Sequence, residues 1–147
     1  MNQSGRCQCG KVSYYFDKEK VISAHHCHCK DCQRSTGCGK ATIIYIASKN
    51  LKIKGDIKYF DKKGTTGMTI RRGFCQNCGS GVMSYAKQLP LLKFIKAGTL
   101  DDSSWLSIDS VFFTKSACSW DMPSDNIKSY NENPNLIANI KSVIKAL

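Results

Sequence analysis

Cys27-His28-Cys29-Lys30-Asp31-Cys32 packs three thiols into six residues. Upstream, Cys7-Gln8-Cys9-Gly10 repeats the C-x-C spacing. Downstream, Cys75-Gln76-Asn77-Cys78-Gly79 supplies a C-x-x-C pair followed by glycine. Thiolates two and three residues apart, beside glycine, suit one soft metal ion held by a tight turn. The total of seven also fits the habits of zinc. Structural sites are closed by four ligands, and catalytic sites use three and keep a position open. Cys7, Cys9, Cys75 and Cys78 could form the closed site, and Cys27, Cys29 and Cys32 the open one.

A disulfide framework explains the pattern less well. Nine cysteines is an odd number, and the two thiols of a C-x-C pair are poor disulfide partners for each other. Residues 1–5 hold no apolar signal segment, so export is not expected and a cytoplasmic location is. No apolar run approaches membrane-spanning length. Cys38 and Cys118, outside the clusters, are expected to be small buried residues. A thioredoxin-like reading of Cys75 and Cys78 would need a parallel βαβ context, which is not visible nearby.

The 147 residues suit one domain with a real core. The formal charge of +11 is uneven: residues 40–96 carry twelve basic and two acidic side chains. Seven thiolates binding two Zn²⁺ would lower the total to about +8. Such a surface could attract an anionic small molecule or nucleic acid, or could simply keep the protein soluble.

Short strands separated by turns fill the first two thirds of the chain. Lys11-Val-Ser-Tyr-Tyr-Phe16, Ala41-Thr-Ile-Ile-Tyr-Ile46, Leu51-Lys-Ile-Lys54, Ile57-Lys-Tyr-Phe60 and Met68-Thr-Ile-Arg-Arg72 read as strands, as do Gly81-Val-Met-Ser-Tyr85, Lys93-Phe-Ile-Lys-Ala97 and Ile108-Asp-Ser-Val-Phe-Phe113. The expected class is mainly β, built of antiparallel strands. A C-terminal helix is predicted over 133–147, with Asn133 as N-cap and Pro134 in its first turn. Leu136, Ile137, Ile140, Val143, Ile144 and Leu147 form its apolar stripe. Ser35 or Thr36 could cap a turn or start a helix after Cys32.

These blocks resemble the glutathione-dependent formaldehyde-activating enzyme family, which includes the domain of centromere protein V. The matching residues are Gly5-Arg-Cys-Gln-Cys-Gly-Lys-Val-Ser-Tyr14, Cys27-His-Cys-Lys-Asp-Cys-Gln-Arg-Ser-Thr-Gly37, Phe74-Cys-Gln-Asn-Cys-Gly-Ser80, and the stretch 110–123 with Lys115, Trp120 and Pro123. The resemblance covers roughly residues 5–132. It implies a β-tent of small antiparallel sheets around zinc, with residues 1–132 as the zinc-binding domain and 133–147 as a helix packed on it.

The resemblance also implies two zinc ions per chain: a structural one on Cys7, Cys9, Cys75 and Cys78, and a catalytic one on Cys27, Cys29 and Cys32. The implied reaction joins glutathione and formaldehyde into S-hydroxymethylglutathione, a carbon–sulfur lyase activity, with glutathione or a related thiol as small-molecule partner. Gln33 and Arg34 are the expected substrate contacts by analogy. Lys30, Arg34 or the pair Arg71-Arg72 could neutralise substrate carboxylates. His28, between two ligands of an extended C-x-C, is expected to point away from the metal. The alternative is a zinc-stabilised module binding nucleic acid or another anion through residues 40–96. Such a module would have no use for the open three-cysteine set. Oligomeric state is not legible in the sequence.

Overall fold

The computed structural model describes residues 1–134, 143–145 and 147. Among these residues, ten strands and the helix α1 follow in chain order. They are β1 (Gln3–Arg6), β2 (Ser13–Phe16), β3 (Val21–Cys27), α1 (Lys30–Thr36), β4 (Ala41–Ala47), β5 (Lys52–Lys54), β6 (Ile57–Lys63), β7 (Thr69–Cys75), β8 (Gly81–Ala86), β9 (Leu92–Lys96) and β10 (Ser110–Phe112). The class is mainly β. A three-stranded antiparallel sheet has the order β1-β2-β5, and a seven-stranded mixed sheet the order β10-β3-β4-β9-β8-β7-β6.

An interior strand of the large sheet is β4, whose Ile43, Ile44 and Ile46 are buried. It pairs with β3 on one side and β9 on the other. A strand covered on both faces favours β-branched side chains throughout, and Ala41-Thr-Ile-Ile-Tyr-Ile-Ala47 has that composition. One face of the sheet turns Ile44, Ile46, Met83 and Ile95 onto Tyr14 and Phe16 of β2, closing the core. Each fully buried large side chain contributes about 1.5–3 kcal/mol. The edge strand β6 is exposed and carries Lys58, Lys62 and Lys63, charges that discourage pairing with another chain.

Leu51-Lys-Ile-Lys54 and Ile57-Lys-Tyr-Phe60 are both strands, as expected, but they belong to different sheets. β5 pairs with β2 and β6 with β7, so Gly55, at φ +90°, passes the chain from one sheet to the other. β10 lies parallel to β3, so the large sheet is not wholly antiparallel. α1 spans Lys30–Thr36 and ends at Gly37, in the left-handed region at φ 66°. Ser35 and Thr36 therefore close a helix rather than start one.

Leu136, Ile137 and Ile140 of the predicted C-terminal helix lie outside the described residues. Residues 143–145 form a helical turn, with Val143 buried and Ile144 exposed.

Candidate metal centres and active site

Cys7 and Cys9 follow β1, and Cys75 and Cys78 bracket the end of β7. Each pair sits in a knuckle of backbone. The Gly10 amide donates to the Cys7 carbonyl at 3.1 Å, and the Gly79 amide to the Cys75 carbonyl at 2.8 Å. Gly10 and Gly79 hold φ of 78° and 75°, a conformation that makes glycine the natural choice after each cysteine pair. The amide of Val12 donates to Cys7 Sγ at 3.3 Å. The four sulfurs converge within 4.8 Å of one another, with Cys7–Cys9 at 3.6 Å and Cys9–Cys75 at 3.8 Å. A tetrahedron with Zn–S near 2.3 Å has edges of about 3.8 Å, so this donor set fits one zinc-sized ion. Hydrogen bonding from Ser80 holds the Cys78 thiol down at about 5, which favours the thiolate that a metal needs.

The second cluster gathers at the junction of β3 and α1. Cys27 ends the strand, Cys29 caps the helix and accepts the Cys32 amide at 3.4 Å, and Cys32 lies in its first turn. These three sulfurs also lie within 4.8 Å of one another. Hydrogen bonds from Cys27 and Cys32 push the Cys29 thiol far down, and the matching hydrogen bond to Cys29 pushes Cys27 up. Three thiols that hold one another in mixed protonation present a site where a divalent cation displaces the shared protons. Both cysteine clusters can therefore bind metal ions.

The three-cysteine cluster opens onto a cavity of about 140 Å³ with mainly apolar walls. The face of the large sheet opposite the core forms its floor. Side chains alternate across a strand, so Ile43 and Tyr45 of β4, Phe94 and Lys96 of β9, Ser84 of β8 and Arg72 of β7 share that face. The turn with Thr65, Thr66 and Met68 and the residues Phe112 and Phe113 wall the sides. Phe113 is in the left-handed region at φ 58°, a strained conformation for an aromatic residue that places it against the cavity. Burial, then the charge of Cys27 and Cys32, pushes the Tyr45 hydroxyl up, so it stays protonated. Burial lowers Lys96, and the nearby sulfurs act in the opposite direction.

Other predicted residues lie elsewhere. Gln33 is buried but absent from the cavity. Its amide donates to the carbonyls of His28 at 2.7 Å and Ser116 at 2.8 Å, and its oxygen accepts from Lys30 at 2.8 Å. Arg34 is exposed on α1 and does not line the cavity. Of the pair Arg71-Arg72, Arg71 turns away, bonds Asp61 at 2.8 Å and covers the Tyr59 ring, while Arg72 faces the cavity. His28 is buried outside both sulfur clusters. His25 lies between Ser110 and Ser23, 2.8 Å from each hydroxyl, and its burial lowers it to about 4. Cys38 is exposed and Cys118 half-buried, so neither is the buried packing residue expected. Trp120 is 70% exposed.

Tyr45, Ser84 and Lys96 are not singled out by sequence reasoning. The one available signal is alternation in Lys93-Phe-Ile-Lys96, which puts a lysine on the same face as Phe94. Within residues 40–96, the Tyr59 and Tyr85 rings of the opposite sheet face are already covered by the chain's own Arg71 and Lys93, at 5.1 and 3.5 Å.

Fold and site together define a cysteine-rich, mainly β protein with two sulfur sets, of four and three cysteines, that could each hold a metal ion. The chain belongs to the family of the glutathione-dependent formaldehyde-activating enzyme, whose profile matches residues 2–116. The fold is also similar to that of a crystal structure of a Rhodobacter sphaeroides protein, with a TM-score of 0.53 at 18% identity over 69% of this chain and 90% of that one. No curated protein matches the chain in sequence. Among the described residues, no helix is long and apolar enough to cross a membrane.

Proposed function

We propose that this protein joins formaldehyde to a thiol, glutathione or a related one, as a carbon–sulfur lyase-type enzyme similar to S-hydroxymethylglutathione synthase, with zinc at both cysteine clusters. The observation that carries the reading is the contrast between the two sulfur sets: four sulfurs can complete a tetrahedron among themselves, and three line a mainly apolar cavity. In the reaction the sulfur–carbon bond forms, the carbonyl π bond breaks, and the thiol hydrogen ends on the former carbonyl oxygen. Zinc held by Cys27, Cys29 and Cys32 would supply an open position that favours a bound thiolate over the thiol. Three thiolate donors make such a site electron-rich, which suits a soft sulfur better than an aldehyde oxygen.

The chain's own groups do the rest. The hydroxyl of Tyr45 is a donor on the cavity floor for the oxygen that gains charge. The wall of Ile43, Phe94 and Phe112 excludes water from the reacting atoms. In this reading Gln33 positions α1, and Arg34 would meet only a part of the substrate extending beyond the cavity. The same proposal places the protein in the cytoplasm, with residues 1–132 as the zinc-binding domain and 133–147 as a helix packed on it.

The test is zinc content per chain in wild type and Cys29→Ser, combined with NMR exchange between free glutathione and its hydroxymethyl adduct in formaldehyde. We expect two zincs to fall to about one with the fold intact, and faster exchange in wild type alone. Equal zinc in both proteins, or wild type that leaves the exchange rate unchanged, would overturn the proposal in favour of a binding module.

A further inference from the structure

The cavity floor carries more positive charge than the sulfur cluster explains. Its titratable groups, besides the three cysteines and Tyr45, are Asp31, Arg72 and Lys96. Asp31 is engaged by Lys62, at 2.5 Å. Lys96 lines the same cavity as Cys27, Cys29 and Cys32, so its charge can offset the surplus negative charge of three thiolates around a divalent ion. Arg72 is left over. Among the described residues it has no acidic partner and no side-chain hydrogen bond, although Arg71 beside it is paired with Asp61. The strand register sets Arg72 directly opposite Ser84, and Ser84 opposite Phe94. Ser84 is 5% exposed, lines the same cavity, and its hydroxyl bonds no other described residue. A planar guanidinium beside a free hydroxyl, both on a half-buried floor, is a donor pair suited to a carboxylate.

We propose that Arg72 and Ser84 form an anion subsite beside the three cysteines, and that the preferred substrate is a thiol carrying a carboxylate close to its sulfur. This rests on the reading of the three-cysteine cluster as a thiol site. The space favours a short molecule. A cavity of about 140 Å³ is below the roughly 300–1,000 Å³ of sites that enclose a drug-sized ligand. By volume a mercapto acid can be accommodated more completely than a peptide thiol such as glutathione. Ile43 and Phe94, apolar residues lining the same cavity, suit the carbon chain joining sulfur to carboxylate.

Calorimetric titration of the zinc-loaded protein with 3-mercaptopropionate, 2-mercaptoethanol and cysteamine tests this without relying on turnover. The three thiols are of similar size and carry negative, neutral and positive second groups. Wild type is expected to bind 3-mercaptopropionate at least about tenfold more tightly than 2-mercaptoethanol, the scale of one charge-assisted hydrogen bond. Arg72→Gln is expected to erase that preference while leaving 2-mercaptoethanol binding unchanged, which also shows that its fold and sulfur site are intact. Arg72→Lys should recover part of the preference, and Ser84→Ala should lose part of it. Equal binding of the three thiols by wild type, or a preference that survives in Arg72→Gln, overturns the anion subsite. A charge preference with no effect on the formaldehyde exchange supports the subsite and removes the proposed reaction instead. Binding of glutathione as tightly as 3-mercaptopropionate would overturn the preference for short thiols.

Discussion

Tyr14 shows how one residue joins the small sheet to the rest of the protein. Its side chain is fully buried, stacks on Phe16 and shares a hydrogen bond of 2.8 Å with Thr99. Gly5 makes room for it: a Cβ there would come within 2.2 Å of the Tyr14 hydroxyl. Burial raises the Tyr14 phenol well above its ordinary value, partly opposed by the Thr99 hydrogen bond. The sign of the pH effect follows. Below about pH 10 the phenol is neutral in both states, and its contribution to stability is fully present. Above that, the unfolded chain releases the proton while the folded chain retains it, so stability falls as pH rises. Urea unfolding at pH 8 and about pH 11 should show a smaller alkaline loss in Tyr14→Phe than in wild type. At pH 8 the variant should be weaker by about 1 kcal/mol for the lost hydrogen bond. Equal alkaline losses would show that another tyrosine governs the effect.

At the scale of elements, α1 is too short to be stable alone. What places it is Gln33, whose amide ties the helix to the carbonyls of His28 and Ser116. Because Cys29 and Cys32 ride on α1, holding the helix also holds the open sulfur set. Gln33→Leu removes both donors and leaves two carbonyls without them. We expect a loss of about 1–3 kcal/mol in chemical denaturation. We also expect weaker metal retention at the three-cysteine cluster, with the four-cysteine cluster unaffected. Metal analysis after graded dialysis reads the two sites separately. Unchanged retention at the three-cysteine cluster would show that the sulfur positions do not depend on this tie.

At the scale of the whole molecule, the four-cysteine cluster joins the two sheets. Cys7 and Cys9 lie between β1 and β2, Cys75 ends β7, and Cys78 lies between β7 and β8. An ion there closes a link between Cys9 and Cys75, residues 66 apart in sequence. Apparent binding energies of about 10–16 kcal/mol for structural zinc sites make that link comparable to the net stability of a domain. Stepwise chelation should therefore give two phases. The first metal leaves the open cluster with near-ultraviolet circular dichroism unchanged, and the second leaves with cooperative loss of tertiary signal. A metal-free protein melting at the original temperature would contradict this role.

Much of this architecture was legible in the chain. The cysteine spacing and the glycines after Cys9 and Cys78 foretold two sulfur groups, because a metal knuckle is a local motif whose ligands and turn residues are neighbours in sequence. Ala41-Thr-Ile-Ile-Tyr-Ile46 read as a strand for the same reason: its composition answers to its own burial. Alternation in the other strands was visible in outline, but it did not say which of two faces would become core and which would become cavity floor. That depended on β5 leaving β6 for β2, on β10 joining β3 in parallel, and on α1 folding over the sheet, all contacts between residues far apart in sequence. Arg71 and Arg72 are equivalent as letters, and only pairing within the folded sheet gave one to Asp61 and the other to the cavity. The sequence by itself determined the metal-binding chemistry and the β class, because both reside in short-range patterns. The tertiary structure alone decided which side chains line the cavity, because a cavity is made by elements distant in the chain.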